Sequence, residues 1–96
     1  MVYLQASIKL YPGKVQDFIA LLNDVRPLLA KHGWKLLGSY ASIVGRLNTA
    51  VDFWELTDPN AVERALADPE FHKFAPRIAE IVEDEVLSVL TKLPIG

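Results

Sequence analysis

The sequence predicts an α+β fold: a four-stranded antiparallel sheet with helices packed on one of its faces. Three observations carry that expectation. The chain opens with nine residues that alternate between apolar and polar. It then switches to the three- and four-residue spacing of an amphipathic helix. Finally, two more strand-like stretches joined by a tight link run into a pair of Asp-Pro helix starts and a last apolar strand.

The first strand is Val2 to Leu10. Val2, Leu4, Ala6, Ile8 and Leu10 share one face, and Tyr3, Gln5, Ser7 and Lys9 the other. Tyr11-Pro12-Gly13 ends it, since proline lacks a backbone donor and glycine admits turn geometry. From Lys14 the apolar stripe Val15, Phe18, Leu22, Val25 and Leu29 predicts a helix closing at His32-Gly33, with Gly33 as its left-handed cap. Pro27 lies inside that helix and is expected to kink its end.

The second strand is expected from Trp34 to Val44, with Trp34, Leu36, Gly38, Tyr40 and Ser42 on one side. Gly45-Arg46-Leu47-Asn48 links it to the third strand, Thr49 to Leu56, as a hairpin. Asp58-Pro59 and Asp68-Pro69 each offer a capping carboxylate followed by proline at a first helical position. The first of these helices should end near Ala67. The second should carry Phe71, Phe74, Ile78, Ile81 and Val82 on one face, with a local kink at Pro76. Glu85 to Leu93 is the fourth strand, stopped by Pro94. Strand, helix, strand, strand, helix pair, strand is the split βαβ order of ferredoxin-like folds.

Ninety-six residues make one domain, expected to span the whole of 1–96. Hydrophobic residues are 51 % of the chain, above the usual share of about 45–50 %. The helices cover one side of the sheet, yet Val51 and Phe53 point to the other. A second copy of the chain, docked through that open sheet face, is the expected cover.

The net charge is −2 and the ten Lys and Arg are scattered, which argues against a nucleic-acid partner. No apolar run reaches bilayer-spanning length, so no membrane partner is expected. With no cysteine and no secretory leader, a cytoplasmic setting is the expectation. Two isolated histidines and the missing thiols leave no dedicated metal site, and no glycine-rich phosphate loop or other cofactor motif is present.

Asp52 is the candidate for chemistry, because a carboxylate on the helix-facing side of a central strand is desolvated and tuned toward acid–base work. Its alternative role is structural, hydrogen-bonded to Tyr40, a tryptophan N–H or the backbone. His72, on the flank of the helix begun by Asp68, is either a second polar group at a pocket mouth or a solvated surface residue. His32 and Arg46 read as structural and solvent-facing. The catalytic candidates are therefore Asp52, His72 and Tyr40, and the candidate ligand-binding residues are Leu4, Ala6, Ile8, Trp54, Phe71 and Phe74. Together they describe a mostly apolar pocket with a few convergent polar groups, suited to a small apolar ligand.

The stretches LYPGK (10–14), GSYASIVGRLN (38–48), VDFWEL (51–56) and DPEFHKFAPRI (68–78), in that order and spacing, resemble the NIPSNAP family of the dimeric α+β barrel superfamily. The resemblance implies a ferredoxin-like protomer, pairing of two sheets into a barrel, and a pocket between sheet and helices. It also marks departures: family members commonly carry arginine and tyrosine where this chain has Ala6 and Ile8, and histidine where it has Asp52. A homodimeric small-molecule binder is the first functional expectation. The alternative that the superfamily implies is a cofactor-free monooxygenase or isomerase acting on an aromatic or polyketide-like molecule.

Overall fold

A computed structural model describes residues 2–95. The elements are β1 (Val2–Leu10), α1 (Val15–Lys31), β2 (Trp34–Ala41), β3 (Thr49–Leu56), α2 (Ala61–Ala67), α3 (Pro69–His72), α4 (Ala75–Ile81) and β4 (Val82–Thr91). The strands form one antiparallel sheet in the order β2-β3-β1-β4, so the ferredoxin-like arrangement holds.

The period-two reading of β1 is met in space. Leu4, Ala6, Ile8 and Leu10 are buried toward the helices, and on β3 Ala50, Asp52, Trp54 and Leu56 are buried beside them. The register sets Leu4 opposite Trp54 and Ala6 opposite Asp52. Helix α1 buries Phe18, Leu21, Val25, Leu28 and Leu29 against this layer. Leu21 and Leu28 widen the expected stripe, whereas Val15 at its start is exposed. Gly33 takes φ +87° after the helix, a conformation that side chains with a Cβ adopt at a cost.

Strand β2 departs from simple alternation. Leu36 pairs with Trp54 and Gly38 with Phe53, so Leu37 is an extra residue, a bulge. Past the bulge every side chain changes face. Ser39 now lies opposite Asp52, and Tyr40 lies opposite Val51 on the open face. The expected placement of Tyr40 beside Trp34 and Leu36 is therefore corrected. The strand also ends at Ala41, three residues earlier than expected.

The helical connection is more broken than the sequence led one to expect. Asp58 does not cap α2 directly. Its Oδ1 accepts the Asn60 N–H at 2.8 Å, which makes Asp58-Pro59-Asn60 a turn and delays the helix to Ala61. Asp68 does cap α3, accepting the Glu70 N–H at 2.8 Å, with Pro69 in the first turn. The anticipated kink at Pro76 is a full break. Pro76 has no N–H to continue the helix from the α3 carbonyls and sits in the first turn of a new one, so α3 stops at His72 and α4 begins at Ala75. Val82, expected on that helix face, opens β4 instead, and the strand begins three residues before Glu85.

Because α3 and α4 are short, they leave β4 largely uncovered on both sides. Val86 and Leu90 are exposed on the open face, Leu87 and Val89 on the helix side. On the open face Phe53 is 37 % exposed and Tyr40 is 61 % exposed, their rings meeting edge to face at 6.1 Å. No helix among the described residues is long and apolar enough to cross a membrane.

Candidate functional site

The buried layer divides into two apolar clusters. One gathers Leu4, Val25, Leu29, Trp34, Trp54 and Leu56 around Ala61 and Ala65, and the other gathers Ala6, Ile8, Leu10, Phe18, Leu21, Ala50 and Ile81. Residues of both clusters border a cavity of about 390 Å³ between the sheet and the helices. That size lies within the range of about 300–1,000 Å³ typical of small-molecule sites. Ala6 contributes to the opening, because a single methyl group on the central strand fills little of the space beneath α1 and α4.

Leu4, Ala6, Ile8, Asp52, Trp54 and Phe71, all candidate site residues, line this cavity. Phe74 packs against both apolar clusters but does not line the wall. Leu29, Trp34, Leu66, Ile78 and Leu87 complete much of the lining. The two tryptophans meet edge to face at 5.4 Å, and Trp34 donates its indole N–H to the Ala61 carbonyl at 2.9 Å, tying β2 to the start of α2.

Asp52 is 2 % exposed. Its Oδ1 accepts the Ser39 hydroxyl at 2.5 Å. Oδ2 makes no hydrogen bond among the described residues, and no fully enclosed side-chain oxygen lacks a partner, so Oδ2 borders the cavity. Burial pushes the Asp52 carboxyl above its ordinary value, while the Ser39 bond opposes the rise. The expected aromatic partner is replaced by a hydroxyl. Tyr40 is turned away by the Leu37 bulge, and the Trp34 N–H is committed to Ala61.

A second carboxyl group joins the site from β4. Glu85 pairs with Ile8 and Leu87 with Ala6, which places both on the cavity side of the sheet, and both line the cavity. The Glu85 carboxyl is raised first by desolvation, then by the charges of Asp52 and Asp84. Neither Ser39 nor Glu85 was recognisable from alternation alone. Ser39 needed the bulge, for which the isolated Gly38 inside a strand was the available sign. Glu85 needed the phase of β4, which its mixed apolar pattern leaves open.

His72 does not reach the cavity. It is exposed, and its Nε2 donates to the Leu66 carbonyl at 2.7 Å, which secures the α2–α3 turn. His32, at the C-terminus of α1, leaves the helix carbonyls and donates Nε2 to Asp68 Oδ2 at 2.8 Å, joining that end to the cap of α3. This bond, with the Glu70 N–H, holds the Asp68 carboxyl below its usual value. Arg46 is exposed, in line with its reading as a solvent-facing residue. No group of three or more His, Cys, Asp or Glu among the described residues is arranged to hold a metal ion.

The family model of NIPSNAP matches residues 3–96. An uncharacterised NIPSNAP domain protein from Burkholderia xenovorans is similar to the chain at 25 % identity and TM-score 0.83, the match covering 100 % of this chain and 98 % of that one. A NIPSNAP family protein of unknown function from Agrobacterium tumefaciens is similar at 22 % identity and TM-score 0.78, covering 94 % and 86 %. A further NIPSNAP family protein from the same organism is similar at 16 % identity and TM-score 0.76, covering 99 % and 95 %. At these last identities the likeness is one of fold. Among curated proteins the search finds no match.

Proposed function

This chain belongs to the NIPSNAP family, and from that premise we propose that it is a homodimer whose protomers each receive one small, largely apolar molecule between sheet and helices. One observation carries the binding reading: a cavity of about 390 Å³ walled by apolar side chains holds a nearly inaccessible carboxyl group with one oxygen unpaired. Water satisfies such an oxygen poorly within so apolar a wall, whereas a ligand with one polar head and an apolar body satisfies both. The dimer reading is supported by the exposed apolar groups on the open face, Tyr40, Phe53, Val86 and Leu90, which a second sheet would cover.

The test is binding of Nile red, a neutral apolar dye, followed by its fluorescence. The native protein should bind it saturably, and Ala6→Phe, which plugs the cavity from its floor, should abolish binding while leaving circular dichroism unchanged. Equal binding by native protein and Ala6→Phe would refute the cavity reading.

A second reading, proton transfer to a bound substrate as in a cofactor-free oxygenase or isomerase, is favoured by one observation. Asp52 presents a raised carboxyl to the cavity. His72 and Tyr40 lie outside the wall, so its companions in this reading are Ser39 and Glu85.

A further inference from the structure

We infer that the cavity selects amines: Asp52 and Glu85 face it from the two strands that flank β1, and together form a receptor for the protonated nitrogen of a molecule with an apolar body. This rests on the cavity reading above and adds the chemical class of the ligand.

Three features converge on it. The register aligns Asp52 with Ala6 and Glu85 with Ile8, so the two carboxyl groups share one face of the sheet across a strand that carries only a methyl group at Ala6. Strands lie about 4.8 Å apart and the two positions are offset by two residues of about 3.4 Å each. The carboxyl-bearing backbones are therefore roughly 12 Å apart, a span for the two side chains and an ammonium group between them. The wall contains no lysine, arginine or histidine to neutralise either acid. And Asp52, 98 % removed from solvent, has Oδ2 free while Ser39 fixes Oδ1.

The electrostatic consequence follows from the composition of the wall. Asp52 is buried and Glu85 stands on the exposed edge strand. When both are ionised they repel with water screening only the Glu85 side, and no basic side chain of the wall offsets the repulsion. Desolvation raises the Glu85 carboxyl first, and the nearby Asp52 charge adds to the rise. A neutral ligand leaves the repulsion in place, and an anionic ligand adds to it. An ammonium group removes it and gains charge-assisted hydrogen bonds to both acids. Selection therefore works by exclusion as well as attraction.

The experiment uses the whole protein and three probes of one shape: phenethylamine, phenethyl alcohol and phenylacetate. Binding is read by calorimetry and by the fluorescence of Trp34 and Trp54, which both line the cavity. The amine should bind at least about ten-fold more tightly than the alcohol, and phenylacetate most weakly. Asp52→Asn and Glu85→Gln should each reduce the preference for amine over alcohol several-fold and leave alcohol binding as it was. Should Asp52→Asn fail to fold, Glu85→Gln at its exposed strand decides alone. Equal binding of amine and alcohol, tighter binding of phenylacetate, or an amine preference that survives both substitutions would overturn the inference. Loss of all three probes with Nile red still bound overturns amine selection and leaves the cavity reading standing. Loss of Nile red as well overturns both.

Discussion

Replacing Gly33 by alanine should cost about 2–4 kcal/mol, the sum of two separable effects. Gly33 sits at φ +87°, where a Cβ raises the energy by about 1–2 kcal/mol. A Cβ built at this position would also overlap Thr57 Oγ1 and stand 3.0 Å from Thr57 Cβ and Cγ2. Thr57 is exposed and can rotate its hydroxyl away, giving up a 3.2 Å contact with Asp58, but its own Cβ cannot move independently. The backbone cannot yield easily either. The Thr57 N–H donates to the Gly33 carbonyl at 3.0 Å, and the Gly33 N–H donates to Ala30 at 3.1 Å. The crowding thus adds about 1–2 kcal/mol, typical of a misplaced methyl group. Gly13 provides the control. It has φ +79° with nothing within 4 Å of a built Cβ, so Gly13→Ala should show the backbone cost alone. Urea unfolding at one fixed protein concentration, followed by tryptophan fluorescence, gives the free energies. At about 4–8 °C per kcal/mol, the melting temperature of Gly33→Ala should fall by roughly 10–30 °C. Adding Thr57→Ala to Gly33→Ala should recover about 1 kcal/mol. A loss below about 0.5 kcal/mol for Gly33→Ala, or equal losses at Gly33 and Gly13, would refute the reasoning.

Two further predictions concern the open face and the buried acid. Phe53→Glu places an unpaired carboxylate in the proposed sheet-to-sheet contact at a cost of several kcal/mol, so multi-angle light scattering should find a monomer with native helix content; an unchanged dimer would reject that contact. The raised carboxyl of Asp52 means that the folded chain holds this proton more tightly than the unfolded chain does. The stability this contributes is complete below the ordinary value of 3.8 and is lost as pH rises through the raised one. Asp52→Asn should therefore gain in melting temperature over the native protein as pH climbs from about 4 to 7, and a constant difference across that range would contradict a desolvated acid.

What the sequence discloses depends on whether one local rule governs a segment. In β1 and β3 alternation is unbroken, so their limits, their inward faces and the burial of Asp52 were all readable. In β2 a single extra residue defeats the rule from Leu37 onward. Gly38 was the visible sign, and its role is steric: a Cβ there would stand 2.7 Å from the Tyr40 hydroxyl oxygen, because the Tyr40 ring lies over it. In β4 apolar residues fall on both phases, and only pairing with β1 reveals which of them, Glu85 included, meet the cavity. Pro76 was correctly seen as a disturbance, but the difference between a kink and a break depends on what the next helix packs against, which is tertiary information. The same holds for His72, whose partner is a carbonyl of the preceding helix.

The extra residue in β2 also makes one edge strand serve two environments in succession, with its Trp34 end turned inward and its phenol outward. Deleting Leu37 would restore strict alternation from Trp34 to Ala41 and leave the neighbours of the buried acid as they are, with Ser39 opposite Asp52 and Tyr40 opposite Val51. The bulge thus takes up one surplus residue at an edge, so a change of length there need not disturb the hydroxyl held against the carboxylate.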